Sequence, residues 1–360
     1  MRPIIDSHLD LSWNALSFDR DLLATVGEIR RREEGMTDSA ARGHNTLTLP
    51  ELRTSRVAVC LGTLLARSGP EGVKRPGFKR VDADHGNQAI AYSVARGQLA
   101  YYQLLEEQGH LRILRTAAQF KSHWAAWGKD PERTPLGMIL AMEGGDPIVD
   151  PAQVPAWWEL GMRVVGPAHY GRSHYACGTS VDGPLTPRGV DLLRQFMLVG
   201  MILDVTHLSD RSMAHALEVY DGPVLASHHN CRALVPGDRQ LADDQIRALA
   251  KRDAVIGTAF DVWMLTPGWK PGATPAEAVI ERGADHIDHI VQIAGSVRHC
   301  ALGSDLDGGF GTEQGPRDLD TYVDLHKLEA ILERRGYSAA DVDAIFYGNW
   351  LRFFGDHLPG

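Results

Sequence analysis

The stretch IIDSHLDLSW, residues 4–13, carries ionisable side chains at alternate positions of an otherwise apolar run: Asp6, His8 and Asp10. The side chains of a β-strand point alternately to its two faces, so these three would share one face. A buried row of carboxylates and an imidazole is costly unless something compensates for it. Because His nitrogen and Asp oxygen are both metal ligands, the stretch indicates a first β-strand that ends in a metal site. A strand end whose polar groups meet solvent is the alternative.

The composition is that of an ordinary globular protein and argues against several functional classes. The 360 residues are 44% hydrophobic and 23% charged, and no apolar run approaches the roughly 18 residues of a membrane span. The net charge of −9 is spread along the chain, so we expect neither nucleic-acid binding nor a polybasic membrane anchor. Four widely separated cysteines and the lack of a signal-peptide pattern predict reduced thiols in a cytoplasmic protein. The oligomeric state is left open, with a homodimer as one option.

Short β-rich runs alternate with longer helical patterns along the chain. We predict eight strands, within 2–11, 56–66, 136–145, 161–170, 200–207, 223–229, 254–260 and 300–308. Helical patterns lie between them, at 87–108, 187–199, 209–220 and 274–294. Eight strands that alternate with helices imply parallel pairing and close naturally into a (β/α)8 barrel, or TIM barrel, of the α/β class. A doubly wound open sheet is the competing topology, but no glycine-rich dinucleotide fingerprint follows the first strand.

The chain has no internal repeat and no long linker, so we predict a single barrel domain over residues 1–360. Two polar stretches with Gly and Pro, near 29–55 and 67–86, are too long for simple connections and are predicted to be loop insertions. Long loops after early barrel strands would lie over the active-site mouth and could shape the substrate site. Plain surface excursions are an equally good explanation of both.

Ligand-type side chains collect near the C-terminal ends of six of the eight predicted strands. In a barrel these ends form one rim, where catalytic groups lie. Each residue alone would more often be a hydrogen-bonded core residue or a helix cap, but the joint pattern indicates a common site. In chain order they are His8 and Asp10, Glu143, His169, His207, His228 and Asp305.

This combination of imidazoles and carboxylates, without clustered cysteine, suits Zn²⁺ or a similar divalent cation. Five ligands are too many for one catalytic ion that keeps a position open, so we predict two ions that share a carboxylate, about 3.5–4 Å apart. His8 and Asp10 would hold one ion, His207 and His228 the other, and Glu143 would bridge them. A hydroxide between the ions would be the nucleophile, since metal coordination lowers the pKa of water to about 7.

The remaining acids and histidines of interest are not predicted to be metal ligands. Asp305, in GSDLDG, is the predicted proton carrier from the attacking water to the leaving group. Asp307 shares its face but lies two residues further into the loop. His229 should point away from the barrel interior. His286 and His289 could hold a metal by their i,i+3 spacing, but a solvated helix face is the favoured interpretation.

Eight motifs, spread over nearly the whole chain, carry a resemblance to a known family. They are DSHLDLSW (6–13), AMEGGD (141–146), LGMRVVGPAHY (160–170), LDVTHLSD (203–210), PVLASHHNCRAL (223–234), RQLADDQ (239–245), LGSDLDG (302–308) and GNWLRFF (348–354). In this order they resemble the renal, or membrane, dipeptidases and their bacterial relatives in the amidohydrolase superfamily. The resemblance implies a (β/α)8 barrel with two zinc ions that hydrolyses dipeptides, many of them with a D-residue at the C-terminal position.

The resemblance also assigns roles position by position. It implies the same five metal ligands as the residue pattern, with Glu143 as the bridge. It further implies that His169 contacts the substrate carbonyl and stabilises the oxyanion, and that Arg239 pairs with the free carboxylate of the substrate. Asp305 matches the acid–base carboxylate of the family.

Departures from the family leave the substrate side chains undecided. Asp238 directly precedes Arg239, and this extra acid could weaken carboxylate capture or favour a substrate with a basic side chain. The second insertion carries four cations that could equally favour an acidic side chain: Lys74, Arg75, Lys79 and Arg80. Because the sequence shows no lipid-anchor pattern, we do not expect the membrane location of the animal enzyme to carry over.

Three hypotheses of function follow. The leading one is a binuclear zinc dipeptidase that cleaves dipeptides, including L-Xaa-D-Xaa, by a metal-bridged hydroxide. Another amidohydrolase reaction, on N-acyl amino acids or lactones, ranks lower because relatives of that kind often bridge their metals with a modified lysine after strand 4. Here strand 4 ends in GPAHYG, without a lysine. A catalytically silent barrel ranks lowest, since every expected ligand position is filled.

Overall fold

The computed structural model of the chain describes residues 1–72, 81–270 and 278–360. Within them, short buried strands alternate with helices from the first residues to the last. In chain order the strands are β1 (Ile4–Leu9), β2 (Val57–Leu65), β3 (Leu111–Ile113), β4 (Leu136–Glu143), β5 (Met162–Gly166), β6 (Ile202–Asp204), β7 (Val224–Leu225), β8 (Ile256–Thr258) and β9 (Cys300–Leu302).

The strands curl around a common interior in the order of the sequence. β1, β2, β4, β5, β6 and β7 pair successively and in parallel, and β8 pairs in parallel with β9. A parallel bridge between Ala226 and Ile256 joins β7 to β8, and Ser304, just after β9, donates its backbone N–H to Asp6 of β1 over 3.0 Å. The fold is therefore a mixed α/β barrel of parallel strands, as predicted, and the eight predicted strands are confirmed. That it is one domain over the whole chain stays a prediction.

β3 is a ninth strand that the sequence analysis missed. It pairs in parallel with the first three residues of β4, below the point where β5 takes over as the neighbour of β4. Three residues give too short a pattern to recognise, since a strand needs several alternations before its period stands out.

The helices pack around the strands, and several of them begin at side-chain caps. Asn87 accepts from the Ile90 N–H at the start of α4 (Gln88–Glu107), and Thr186 accepts from the Gly189 N–H at the start of α7 (Pro187–Val199). Three predicted helices match within one or two residues. The fourth, predicted at 274–294, is confirmed from Glu281 to Ala294 as α11, whereas residues 278–280 are not helical and 274–277 lie outside the described residues. The helices are α1 (Leu11–Phe18), α2 (Val26–Arg32), α3 (Leu49–Thr54), α4 (Gln88–Glu107), α5 (Ala117–Lys129), α6 (Val154–Glu159), α7 (Pro187–Val199), α8 (Asp210–Val219), α9 (Asp243–Lys251), α10 (Val262–Leu265), α11 (Glu281–Ala294), α12 (Lys327–Arg334), α13 (Ala339–Asp343) and α14 (Asn349–His357).

Two apolar layers hold the barrel together. The outer layer lies between strands and helices, and the inner one joins side chains of successive strands, such as Val59, Ile139 and Val164, to aromatic residues of α14. Trp350 of α14 donates its indole N–H to the Leu302 carbonyl at the end of β9 over 2.8 Å. Among the described residues, no helix is both long enough and apolar enough to cross a bilayer.

The first strand departs from the alternation that the sequence predicted. The pairing of β1 with β2 shifts between Asp6 and Leu9, as at a β-bulge. Asp6 consequently lies in the outer layer, where its carboxylate accepts from the Tyr322 hydroxyl over 2.5 Å and from two backbone N–H groups. The prediction that Asp6 shares a face with His8 and Asp10 is therefore wrong, because the bulge interrupts the two-residue period.

Candidate metal centre and substrate pocket

The predicted rim residues converge at the C-terminal end of the barrel, around one cavity of about 480 Å³. His8 lies near the end of β1 and Glu143 is the last residue of β4, while Asp10, His169, His207, His228 and Asp305 follow the ends of their strands. Residues far apart in sequence therefore meet here. The lining includes Asp10, Glu143, His169, His207, His228, Arg239 and Asp305. His8 does not line the cavity itself, but its Nε2 lies 3.6 Å from Glu143 Oε1.

A single carboxylate oxygen stands at the centre of this group. Glu143 Oε1 lies 3.2 Å from His207 Nε2, 3.3 Å from His228 Nε2 and 3.5 Å from His169 Nε2. Neither Glu143 Oε1 nor His8 Nε2 has a hydrogen-bond partner within the described parts of the chain. Buried polar atoms are normally paired, so this convergence of unpaired donor and acceptor atoms fits a site that is completed by a cation.

The ligand atoms fall into two overlapping sets. His8, Asp10 and Glu143 offer atoms within 4.8 Å of one another, and so do Glu143, His207 and His228. Both sets contain Glu143, as in the division that the sequence predicts. Imidazole nitrogen and carboxylate oxygen suit zinc and similar divalent cations, so the residues fit the group that the resemblance implies. The atoms of a third set, His8, His228 and Asp305, also lie within 4.8 Å of one another.

Hydroxyl groups behind the ligands fix their orientation. Thr179 Oγ1 lies 3.0 Å from His207 Nδ1, and Ser227 Oγ lies 2.9 Å from His228 Nδ1. When a hydroxyl accepts the Nδ1 proton, the Nε2 lone pair is left facing Glu143 and is available to a metal. Thr63 likewise donates its hydroxyl to Asp10.

Burial and neighbouring charges separate the histidines into two electrostatic classes. Burial lowers the pKa values of His207 and His228 well below their usual range, aided by the positive charge of Arg239. Burial acts on His8 in the same direction, but the carboxylates of Glu143 and Asp10 outweigh it and raise its pKa to about 10. His207 and His228 are therefore neutral, the state in which an imidazole binds a metal, whereas at His8 a proton and a metal ion would compete for the same Nε2 beside the carboxylates.

Asp305 is a second acid close to the His8 imidazole. Its Oδ1 is 3.8 Å from His8 Nε2. Burial raises the pKa of Asp305 well above its usual value, with His8 acting in the opposite direction. Asp305 and His207 also have the positive φ angles of 57° and 67° that non-glycine residues rarely adopt. Such backbone is often found at functional sites, where the surrounding structure holds it.

His169 differs from the other histidines because a cation contacts it from behind. Arg67, just after β2, places its Nη1 3.0 Å from His169 Nδ1. A guanidinium can only donate, so Nδ1 must accept and Nε2 must carry the proton. His169 lines the cavity, and its Nε2 lies 3.5 Å from Glu143 Oε1. The sequence analysis missed Arg67. Its position just after the predicted strand 56–66, which had no candidate residue at its C-terminal end, could have indicated it.

Arg239 is a buried guanidinium with an open donor. It is 2% exposed, and its Nη2 donates to the His228 carbonyl over 3.0 Å. Its Nη1 has no hydrogen-bond partner among the residues that the structure describes. The neighbouring Asp238 is exposed and accepts from the Ser180 N–H over 2.6 Å, outside the cavity lining.

Asp307 anchors the first insertion to the rim. Its carboxylate accepts from the Thr46 N–H and hydroxyl, both over 2.7 Å, and from the Leu47 N–H over 3.3 Å. No described residue of 29–55 lines the cavity, whereas the second insertion contributes Arg67 and the segment 81–83. Lys74, Arg75, Lys79 and Arg80 lie outside the described residues.

The remaining candidate histidines do not join the site. His229 donates its backbone N–H to Gly257 over 2.7 Å and does not line the cavity. His286 is buried and accepts from the Cys231 N–H over 3.0 Å, so a solvated helix face was the wrong interpretation for this residue. His289 lies 2.7 Å from the Asp243 carboxylate on the neighbouring helix.

Comparisons with known proteins find a family model that matches almost the whole chain, and similar relatives and solved structures. A family model described as membrane dipeptidase, peptidase family M19, matches residues 1–357. An uncharacterized protein from the pqqA 5′ region of Klebsiella pneumoniae is 28% identical over 68% of this chain and 88% of its own length. A dipeptidase of Claviceps purpurea is 32% identical over 54% of this chain, which spans only 44% of that protein. The crystal structure of a metallo peptidase from Rhodobacter sphaeroides, liganded with a phosphinate mimic of the dipeptide L-Ala-D-Ala, is similar in fold, with a TM-score of 0.78 at 21% identity and 99% coverage of both chains.

The cluster predicts that metal-stripped protein binds divalent cations. Calorimetric titration with Zn²⁺, checked by mass spectrometry of the bound metal, measures this directly. Glu143→Gln removes the central charge and should weaken binding by more than about tenfold. His289→Gln, far from the cluster, is the matched control and should bind like the wild type. If the stripped wild-type protein takes up no cation on reconstitution, the interpretation as a metal centre is wrong.

Proposed function

The chain belongs to the membrane dipeptidase family, peptidase family M19, and on this premise we propose that it is a zinc-dependent dipeptidase whose substrates include L-Xaa-D-Xaa dipeptides. The observation that carries the proposal is the Glu143 carboxylate, shared by two sets of metal-ligand atoms at the floor of a cavity that also holds Arg239. The phosphinate mimic of L-Ala-D-Ala on the Rhodobacter peptidase supports the stereochemical part.

The proposed metal ligands are the five residues that the sequence predicts. His8 and Asp10 would hold one Zn²⁺, His207 and His228 the second, and Glu143 would contact both. When bound, the ions polarise the peptide carbonyl and favour ionisation of a nucleophilic water near neutral pH. The neutral state of His207 and His228 and their hydroxyl partners support this assignment.

His169 and Asp305 would carry out the other parts of the reaction. The His169 Nε2–H, held in this tautomer by Arg67, donates to the carbonyl oxygen as negative charge develops on it. Asp305 takes the proton of the attacking water and passes it to the departing amine. Its raised pKa suits a carboxyl that must hold a proton during part of the cycle.

Arg239 would bind the free carboxylate of the dipeptide. Its open Nη1 donor and its burial support this role, because a buried guanidinium gains most from a carboxylate that completes its hydrogen bonds. The same burial would exclude peptides that continue beyond the second residue.

We also propose a cytoplasmic location, supported by four cysteines that are all unpaired and buried.

A substrate panel tests the proposed activity. The zinc-loaded protein should hydrolyse L-Ala-D-Ala and L-Ala-L-Ala with kcat/KM about 100-fold above that for N-acetyl-alanine, since the acyl compound lacks the free amine of a dipeptide. Appearance of the product amine is followed for each compound, with a lactone and a tripeptide as comparisons. Faster turnover of the N-acyl amino acid or the lactone would favour the alternative amidohydrolase reaction instead.

Asp305→Asn should lower kcat by about 10²–10⁴-fold while metal content stays at the wild-type level, because the amide cannot accept and return the proton. Steady-state kinetics and metal analysis on the same preparation measure both quantities. Asp307→Asn serves as the control acid on the same loop and should lower kcat far less. Wild-type activity of Asp305→Asn would show that another group moves the proton.

Arg239→Ala should raise KM for L-Ala-D-Ala by about tenfold or more and change kcat less, since a charge-assisted hydrogen bond is lost. The dipeptide amide L-Ala-D-Ala-NH₂ removes the carboxylate from the substrate side. Wild-type protein should lose a similar factor on the amide, and the variant should lose little more. An equal penalty for the amide in both proteins would place carboxylate recognition elsewhere.

A further inference from the structure

Asp261 is a buried acid in the same cavity that the proposed reaction does not use. It follows β8, is 5% exposed and belongs to the cavity lining. Its two carboxylate oxygens accept from Gln314 Nε2 over 2.9 and 2.8 Å, and Oδ1 accepts from the Trp263 N–H over 3.2 Å. Both donors are neutral, so neither balances the negative charge.

The electrostatics of Asp261 agree with a carboxylate that lacks an ion-pair partner. Burial raises its pKa to about 7, and the more distant positive charge of Arg239 opposes this rise. A buried carboxylate is most strongly stabilised by a cation in direct contact. A positive group that entered the cavity beside Asp261 would therefore gain more from this acid than from an exposed one.

Asp261 lines the same cavity as Arg239 and Tyr170. The positive charge of Arg239 acts on Asp261 and favours its ionised form. Trp263 and Met264, which follow Asp261 in the chain, add apolar wall to this cavity. The cavity thus combines a cation, an acid and an apolar surface, which together match an α-carboxylate, a charged side-chain tip and an aliphatic stem.

We propose that Asp261 selects dipeptides whose C-terminal residue has a basic side chain. The α-carboxylate of that residue binds Arg239, its methylene stem lies along Trp263 and Met264, and its ammonium or guanidinium group pairs with Asp261. The proposal rests on the dipeptidase function and on the role of Arg239 stated above. The sequence left open whether Asp238, next to Arg239, favours a basic substrate side chain. Asp238 accepts from the Ser180 N–H outside the cavity, so we assign this preference to Asp261 instead.

A purely structural role for Asp261 is the competing explanation. Asp261 is the N-cap of α10 and accepts from the Trp263 N–H, as capping aspartates do. Asparagine is an equally good cap and keeps one oxygen for Trp263 and Gln314. Asp261→Asn therefore removes the charge and retains the cap, which separates the two explanations.

The test compares substrates with matched aliphatic stems on the zinc-loaded protein. L-Ala-D-Lys and L-Ala-D-norleucine have side chains of similar length and differ in the terminal ammonium group; L-Ala-D-Glu and the corresponding L,L-dipeptides complete the set. Wild-type protein should prefer the lysine over the norleucine substrate by about tenfold or more in kcat/KM, mostly through KM. Asp261→Asn should reduce this ratio to near one while its kcat/KM for the norleucine substrate stays within about threefold of wild type. Asp238→Asn is the matched control and should keep the wild-type ratio.

Each other result overturns the inference in a recognisable way. Equal wild-type rates on the lysine and norleucine substrates would remove the proposed preference without any variant. A preference that survives in Asp261→Asn would assign it to another group, and an equal loss on both substrates would show that Asp261 is structural only. Failure of the wild-type protein to cleave any dipeptide, L-Ala-D-Ala included, would instead overturn the proposed function itself.

Discussion

The architecture of the rim depends on one carboxylate that four imidazoles approach. Glu143 Oε1 lies within 3.6 Å of the Nε2 atoms of four histidines from four different strands. Such a group of buried ligand atoms is unfavourable unless a cation completes it. The geometry therefore requires strands that end at the same height and hold their last residues rigidly.

Two buried aspartates supply part of that rigidity in the same manner. Asp6 Oδ1 accepts from the His8 and Ser304 N–H groups, which ties the end of β1 to the loop after β9. Asp204 Oδ1 accepts from the Thr206 and Ser227 N–H groups, which ties the end of β6 to the loop after β7. In each case one carboxylate fixes two backbone segments beside site residues. The hydrogen bonds from these backbone N–H groups offset the free-energy cost of burying each carboxylate.

The sequence predicted the fold and the location of the rim because both follow from periodic patterns. Strand and helix periods are local, and the rule that strand ends meet at one barrel face then brought distant residues such as His8 and Asp305 together. Asp6 was misplaced because a bulge has no signature in a six-residue strand. Arg67 and Asp261 were missed because they follow the two predicted strands without a ligand-type residue at their ends, and because their importance comes from neighbours, His169 and Arg239, that spacing along the chain does not reveal.

The position of Asp261 on the loop after β8 has a further consequence for how related enzymes can diverge. That loop supplies no residue to either set of metal-ligand atoms that contains Glu143. Under the proposed assignment, the groups that activate the peptide bond and the group that distinguishes one substrate from another belong to separate segments of the chain. After gene duplication, a substitution at this position would therefore change substrate specificity and leave the metal-ligand residues unaltered.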